Sequence, residues 1–309
     1  MNRNKLIAGS LACALSLGIG LGGGVTASAT SDPHEYSILE SNVIRNRNER
    51  VLALKSIGSK SVSDYRSYSV AVRGVILSVK ALRINDTYYI PARAAANALG
   101  ASYSYDKNSG TSVMRLSGLT VSFTNGNYAV MANDRPLFAT TPSVIMSDGR
   151  MYIPAEALAK ATGLTLTVGD TVSFSGSLRP LAAADSFYRE DEVFWLARII
   201  QAESGSEPLL GKIAVGNVVL NRVRSAYYPN TIYGVIFDRK YGVQFSPILN
   251  GTIYNTPSYA SVLAAKICLE GFDISEESFF FLCPELSSSS WIPENRDYVF
   301  SIGKHDFYK

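Results

Sequence analysis

The chain has 309 residues, of which 47% are hydrophobic and 18% are charged. This composition excludes an intrinsically disordered chain and a multi-span membrane protein, and the length predicts about two domains. The formal net charge of +3 is unevenly distributed: residues 30–184 hold 16 Lys and Arg against 11 Asp and Glu, and residues 185–309 hold 11 against 15. A basic N-terminal half favours anionic polymers, although such an excess is also typical of a solvated surface. No nucleic-acid partner is expected.

The N-terminus has the features of a secretory signal peptide. Two basic residues precede an apolar run over residues 6–25, and small residues follow at 27–29. These features predict that residues 1–29 are removed on export. A retained membrane anchor is the alternative, which the serines and glycines within the run disfavour. Residues 30–67 are polar and rich in Arg, Asn and Ser, and we interpret them as a linker.

Cysteine and histidine are too few to suggest a metal site. After removal of the signal peptide the chain keeps Cys268 and Cys283, and its histidines are His34 and His305. They form no cluster with the spacing of a zinc or iron site, so we expect metal-free chemistry without a cofactor. Whether the two cysteines pair stays open, because a sequence does not give their geometry.

A repeat marks the middle of the chain. Residues 89–100 begin Tyr-Ile-Pro-Ala and recur as residues 152–163 at an offset of 63. Each copy predicts a strand that ends at a proline, a short Ala-rich helix, and a glycine that ends the helix. Segments of alternating hydrophobicity, such as residues 119–123, surround the copies, with Asn-Gly and Asp-Gly turns between them. The pattern predicts a β-rich domain over residues 68–176.

Residues 70–176 resemble the copper amine oxidase N-terminal-like domain, also called the stalk domain, of secreted Gram-positive proteins. The two Tyr-Ile-Pro-Ala segments lie within this resemblance. Despite the family name we do not expect copper binding, because the stretch contains neither His nor Cys. The resemblance implies a spacing or anchoring role, and the basic charge of this half of the chain makes anionic wall polymers a candidate partner.

Helical periodicity begins after this domain. A first helix, capped by Asp185 or Ser186, places Glu203 in line with an apolar stripe at residues 196–200. Gly205 ends this helix, so burial and the helix dipole both disfavour ionisation and raise the pKa of Glu203. A carboxyl of this kind suits the general acid of a glycosidase, but a Glu that merely forms an ion pair has the same spacing.

The following segments complete a helical pattern. A second helix over residues 209–224 is apolar around most of its circumference, which predicts that it is buried at the centre of the domain. We expect an extended segment over residues 231–237, a loop over residues 244–251 and a third helix over residues 259–270. Aromatic residues concentrate in the loops and near the C-terminus.

Three segments in this order resemble the SleB-type cell wall hydrolases, a family that includes spore cortex-lytic enzymes. They are residues 196–208, residues 211–223 and Gln-Phe-Ser-Pro at 244–247. The resemblance assigns residues 177–309 to a mainly helical, lysozyme-like catalytic domain, so the whole chain is expected to be α+β. One departure lies at residues 280–284, where Leu-Cys-Pro replaces a Tyr-Asn-Pro-like motif.

The resemblance implies a lytic transglycosylase that cuts the bond between N-acetylmuramic acid and N-acetylglucosamine in peptidoglycan. Glu203 matches the catalytic acid/base, which protonates the leaving oxygen and then deprotonates the muramic acid C6 hydroxyl as a 1,6-anhydro ring closes. Glu207 matches the second family Glu and is expected to be structural, as is His305. If the bond is hydrolysed instead, the candidates for a second carboxylate are Asp238, Asp273 and Glu294.

Side chains in the loops are candidates for substrate binding. Those suited to hydrogen bonds with sugar groups are Gln244, Ser246 and Asn250, and those suited to contact with sugar rings are Phe245, Tyr254, Phe281 and Trp291. Packing explains each of them equally well.

The alternatives to glycan cleavage are an amidase, which would need zinc or a Cys nucleophile, and a wall-binding protein without activity. The expected location is outside the cell, at the vegetative wall or in the spore.

Overall fold

The computed structural model describes residue 57, residues 60–240, 242–275, 277–287 and 290–309, and the backbone of residues 45 and 46. The predicted signal peptide and most of the predicted linker lie outside this part of the chain. The chain forms two compact units, Ala53–Arg189 and Glu190–Lys309, the second including the strand at residues 45 and 46. The predicted boundary after residue 176 stays a prediction. No helix in the described ranges is long and apolar enough to cross a membrane.

Two β-sheets form most of the N-terminal unit. The first has the spatial order Val144–Ile145, Met151–Pro154, Thr87–Pro91, Ala81–Ile84, Arg66–Val72, Thr171–Ser175 and Thr165–Thr167, and Val75–Ile76 pairs with Arg66–Val72. The second is an antiparallel meander in the order Arg135–Phe138, Ala129–Ala132, Leu119–Thr124, Thr111–Leu116 and Ser102–Asp106. The helices are Ala92–Ala98, Ala155–Thr162 and Ala184–Phe187, with a 3-10 turn at Val62–Asp64. The β-rich domain predicted from the sequence is confirmed.

The two copies of the repeat pair with each other. Their strands, which end at Pro91 and Pro154, run antiparallel, and Ile90 faces Ile153, the equivalent residue of the other copy. Because equivalent positions meet, the two copies are related by a local two-fold axis. The predicted helix stop is also present, since Gly163 has a φ of +70° and a Cβ there would overlap the backbone of the segment beside it.

Helices predominate in the C-terminal unit, as the sequence predicts. They are Glu190–Ser204, Leu209–Arg224, Ile232–Ile236, Pro247–Asn250, Tyr259–Leu269 and Trp291–Asn295, with a 3-10 turn at Thr252–Tyr254. We call the first the Glu203 helix, the second the central helix and the one at Tyr259–Leu269 the third helix. A small antiparallel sheet has the order Arg45–Asn46, Tyr298–Ile302, His305–Tyr308 and Phe280–Leu282.

The central helix organises this unit. It packs against the Glu203 helix and the third helix, and it is buried along nearly its whole length, as the apolar residues around most of its circumference predict. Two of its polar side chains, Asn217 and Asn221, bind the chain that follows the third helix. Asn217 donates to the carbonyl of Phe272 at 2.9 Å and accepts from the N–H of Ile274 at 3.0 Å. Asn221 donates to the hydroxyl of Ser275 at 2.8 Å.

Two predictions for this unit are wrong. The segment predicted to be extended contains the helix Ile232–Ile236, because the Thr231 Oγ1 accepts a hydrogen bond from the N–H of Gly234 at 3.0 Å and caps it. The Glu203 helix begins at Glu190 instead of at residue 185 or 186. An extended backbone at Tyr188, with φ −83° and ψ 137°, separates it from the preceding short helix.

Candidate active site

Glu203 lies in the last turn of its helix, one residue before the end at Ser204. The residue is 3% exposed, and within the described ranges its Oε1 has no hydrogen-bond partner. Burial raises the pKa of the Glu203 carboxyl to about 8, and the positive charge of Arg222 opposes this rise. The carboxyl is therefore mainly protonated at neutral pH, which is the state that a general acid needs.

Arg222 is a buried cation whose charge acts on Glu203. The central helix places its Nε 2.9 Å from the carbonyl of Phe279, to which it donates, and its Nη1 3.4 Å from the Oε1 of Gln244. The guanidinium carbon lies 5.1 Å from the ring centroid of Phe245, in the range of a cation–π contact. A guanidinium stays charged in proteins, so Arg222 stabilises the carboxylate that Glu203 becomes after giving up its proton.

Glu207 connects the chain after Glu203 to the C-terminal β-hairpin. Its Oε2 accepts a hydrogen bond from the N–H of Lys304 at 3.0 Å and lies 3.9 Å from the Nδ1 of His305. The Lys212 Nζ donates to the carbonyl of Glu207 from the central helix. Burial lowers the pKa of the His305 imidazole, and the carboxylate of Glu207 opposes this shift. Glu207 and His305 are both buried, and the contacts of Glu207 join separate segments of the chain, in line with the structural roles expected for both residues.

The predicted polar binding residues lie in one loop. Gln244 is buried and accepts from Arg222, so its amide oxygen is already engaged. Ser246 is half-buried directly before the helix Pro247–Asn250. Asn250 is exposed, but its Oδ1 accepts from the N–H of Thr252 at 3.0 Å and from the Thr252 hydroxyl at 2.7 Å. Gln244 and Asn250 thus hold the loop together.

The predicted aromatic binding residues differ in their exposure. Phe245 is fully buried, and Phe281 is buried with its ring centroid 5.9 Å from that of Phe307. Buried rings offer no face to a sugar, so these two side chains belong to the packed interior. Trp291 is half-buried, 6.4 Å from the ring of Phe280. Tyr254 alone of the four is largely exposed, at 63%.

Sequence reasoning missed two features of the site. Arg222 is a charged residue in a helix that is apolar around most of its circumference, and a charge in such a helix indicates a buried cation with a partner. Trp195 lies at the centre of an exposed aromatic group that includes Tyr254, with ring centroids 6.4 Å apart. Only the tertiary fold brings these two rings together, because Trp195 lies in the Glu203 helix and Tyr254 in the 3-10 turn Thr252–Tyr254.

The other candidate carboxylates are engaged or exposed. Asp273 accepts from the N–H of Ser275 at 2.8 Å and lies 3.5 Å from the Nη1 of Arg224. Asp238 accepts from the N–H of Lys240 at 2.9 Å, and Glu294 is exposed.

The described ranges contain no group of three His, Cys, Asp or Glu side chains able to hold a metal ion. The two cysteines whose pairing was open, at positions 268 and 283, are free and buried.

The buried carboxyl predicts that Glu203→Gln stabilises the C-terminal unit at neutral pH. An unfolded Glu titrates near its ordinary pKa of 4.5, whereas the pKa of Glu203 in the folded state is about 8. Between these values the folded state binds more protons, so the free energy of unfolding of the wild type falls as the pH rises. Gln does not titrate, so the variant should be more stable by about 3 kcal/mol at pH 7 and equal to the wild type near pH 4.

Thermal unfolding followed by tryptophan fluorescence measures this difference. Both tryptophans, Trp195 and Trp291, lie in the C-terminal unit, so their signal reports its unfolding. The Tm of Glu203→Gln should exceed that of the wild type by an amount that grows between pH 5 and pH 8. A Tm difference that does not change with pH would show that this carboxyl titrates alike in both states.

Comparisons with known proteins agree with this architecture. Residues 206–308 match the model of the family described as Cell Wall Hydrolase, and residues 70–172 match the copper amine oxidase N-terminal domain. The spore cortex-lytic enzyme of Bacillus cereus is 36% identical over 122 residues, which cover 40% of this chain and 46% of that protein. The spore cortex-lytic enzyme of Bacillus subtilis is 32% identical over 120 residues, or 39% of this chain and 38% of that protein.

Solved structures give similar matches. The catalytic domain of the germination-specific lytic transglycosylase SleB from Bacillus anthracis is 36% identical and covers 40% of this chain and 97% of that one, with a TM-score of 0.37. The chain spans less than half the length of the curated relatives named above. Glu203 lies just before the range matched by the hydrolase family, which begins at Ser206. The C-terminal domain of the chain belongs to the cell wall hydrolase family, and a copper amine oxidase N-terminal domain precedes it.

Proposed function

We propose that this chain cleaves the glycan strands of peptidoglycan as a lytic transglycosylase, with Glu203 as general acid and then general base. The observation that carries the proposal is the Glu203 carboxyl itself, which is buried at a helix end with its pKa raised to about 8. Membership of the cell wall hydrolase family supports the substrate. Two relatives in Bacillus are spore cortex-lytic enzymes, which makes spore cortex the first substrate to test.

The proposed reaction needs one carboxyl group. Glu203 gives its proton to the glycosidic oxygen as the bond from that oxygen to the muramic acid C1 breaks. The resulting carboxylate, stabilised by Arg222, then takes the proton from the C6 hydroxyl as the C6 oxygen bonds to C1. The proton returns to Glu203, and the products are a 1,6-anhydro end and a free 4-hydroxyl. Hydrolysis through a classical pair would instead need a second carboxylate about 5–10 Å away.

Mass spectrometry of the fragments released from purified peptidoglycan tests this proposal. The transglycosylase reaction gives anhydro-muramyl ends, which are lighter by one water than the reducing ends that hydrolysis gives. An amidase would instead release peptides with a free alanine amino group and leave the glycan intact. Reducing ends or free peptides would therefore overturn the proposed reaction, and each outcome identifies the reaction that replaces it.

The rest of the chain is proposed to deliver this domain to its substrate. Residues 1–29 would export the chain, and the N-terminal unit, whose proposed boundaries are residues 68–176, would anchor or space the hydrolase domain at the wall. The excess of Lys and Arg over residues 30–184 supports contact with anionic wall polymers. Wall binding by this unit that is unchanged in high salt would contradict that contact.

A further inference from the structure

An exposed group of aromatic rings lies on the C-terminal unit beside the Glu203 helix. We call it the aromatic platform, and its members are Phe194, Trp195, Tyr233, Phe237 and Tyr254. The ring of Trp195 is its centre, with centroid distances of 5.0, 5.3, 5.2 and 6.4 Å to the other four in that order. Three members are strongly exposed: Phe194 at 44%, Tyr233 at 53% and Tyr254 at 63%.

The platform is held in place by contacts beneath it. The Arg198 Nη1 donates to the carbonyls of Tyr254 and Asn255, both at 2.6 Å. The same guanidinium lies 4.2 Å from the ring centroid of Phe194. One side chain therefore ties the Glu203 helix to the 3-10 turn that carries Tyr254. Fixed, exposed aromatic rings of this kind mark a binding surface more often than an ordinary solvated surface.

A helix and a loop connect the platform to the candidate active site. Trp195 and Glu203 lie on one helix, and eight residues correspond to about 12 Å along its axis. The chain between Phe237 and Tyr254 leaves the platform, passes Gln244 where it contacts Arg222, and returns to the platform. A polymer that places a bond at Glu203 is therefore close enough to place further units on these rings.

We propose that the aromatic platform binds sugar rings of the glycan strand at positions away from the bond that is cleaved. The face of an aromatic ring is negative and attracts the positively polarised C–H groups of a sugar. The occupant is a neutral sugar and not an anionic polymer, because residues 185–309 hold 11 basic against 15 acidic residues. The identity of this ligand rests on the proposed function, whereas the existence of a sugar site is testable without catalysis.

Tryptophan fluorescence tests the site with a defined probe, an oligomer of N-acetylglucosamine. The chain has two tryptophans, and Trp195 lies in the platform while Trp291 does not. We expect the oligomer to change the emission of the wild type and of Trp291→Phe, but not that of Trp195→Phe. An emission change that persists in Trp195→Phe and disappears in Trp291→Phe would overturn the proposal. The absence of any change in the three proteins at millimolar oligomer would also overturn it.

Binding to insoluble peptidoglycan tests the exposed rings, with Glu203→Gln as the background so that the substrate is not consumed. Tyr233→Ala and Tyr254→Ala remove exposed rings without opening the core, and each should weaken binding about tenfold. Tyr227→Ala is the matched control, since Tyr227 is 87% exposed and is not a member of the platform. Equal binding by all three variants would overturn the proposal.

Two further results would assign the platform to a different occupant. Binding that is lost in high salt would indicate an anionic polymer, because contact with neutral sugars is not screened. A Tyr233→Ala variant that changes the oligomeric state in light scattering would indicate a second copy of the chain. Failure of the proposed reaction can be distinguished from failure of the platform proposal. A wild type that binds the oligomer but releases no fragments from peptidoglycan would contradict the proposed reaction and leave the sugar-binding site supported.

Discussion

The substitution Glu203→Gln is expected to slow glycan cleavage by about 10²- to 10⁴-fold, the usual contribution of a general acid. Gln has the shape of a protonated Glu, so it fits the buried position, but it has no proton of suitable acidity to give. The initial rate of release of soluble fragments from purified peptidoglycan measures the loss. The variant should stay folded, because at neutral pH the side chain it replaces is mainly uncharged.

The matched control for this experiment is Glu190→Gln, the same change at the exposed start of the same helix. Its loss of a negative charge at a helix N-terminus is expected to cost about 0.5 kcal/mol of stability and no activity. If Glu203→Gln keeps a rate within a few-fold of Glu190→Gln, Glu203 is not the general acid. A second carboxylate would then have to carry the reaction.

The largest loss of stability is expected from Gly303→Ala. Gly303 has a φ of +56°, and a Cβ there would overlap the buried Oε2 of Glu207. Left-handed backbone strain adds to the loss of the hydrogen bond from the Lys304 N–H, so the substitution should cost about 3 kcal/mol. Because Glu207 lies just beyond the end of the Glu203 helix at Ser204, the hairpin at Gly303 supports the end of that helix. The Tm from tryptophan fluorescence should fall by about 10 °C.

The control for backbone strain alone is Gly271→Ala. Gly271 also has a positive φ, at +89°, but a Cβ there meets no atom within 4 Å. This variant should lose about 1 kcal/mol. In a Glu207→Ala background the added cost of Gly303→Ala should fall toward that of Gly271→Ala, since the overlapping carboxylate is gone. Equal costs for the two glycine variants in the wild-type background would show that Glu207 does not constrain Gly303.

Local patterns in the sequence predict the elements that matter most for the fold. The continuation of an apolar stripe to Glu203, followed by Gly205, is enough to predict a carboxyl buried at a helix end. The strand, helix and stop of each repeat follow from the positions of proline and glycine. The two-fold pairing of Ile90 with Ile153 does not follow from these local signals, since it depends on how the two copies meet.

The remainder of the site depends on tertiary packing. The sequence does not distinguish Phe245, which is buried beneath a guanidinium, from Tyr254, which is exposed, because both are loop aromatics. The environment of Arg222 forms only when the central helix meets the Gln244 loop. The helix at Ile232–Ile236 was missed because a single cap at Thr231 outweighs the β-branched residues that favour an extended segment.

The pH dependence of kcat/KM for fragment release tests the central claim, that a buried and protonated Glu203 is the acid, most directly. A group that must be protonated in the free enzyme limits the rate above its pKa. The pKa of Glu203 is raised to about 8, so kcat/KM should stay nearly constant through neutral pH. Above about pH 8 it should fall by about tenfold for each further pH unit. A rate that falls with a midpoint near 4.5, the ordinary value for Glu, would contradict the account.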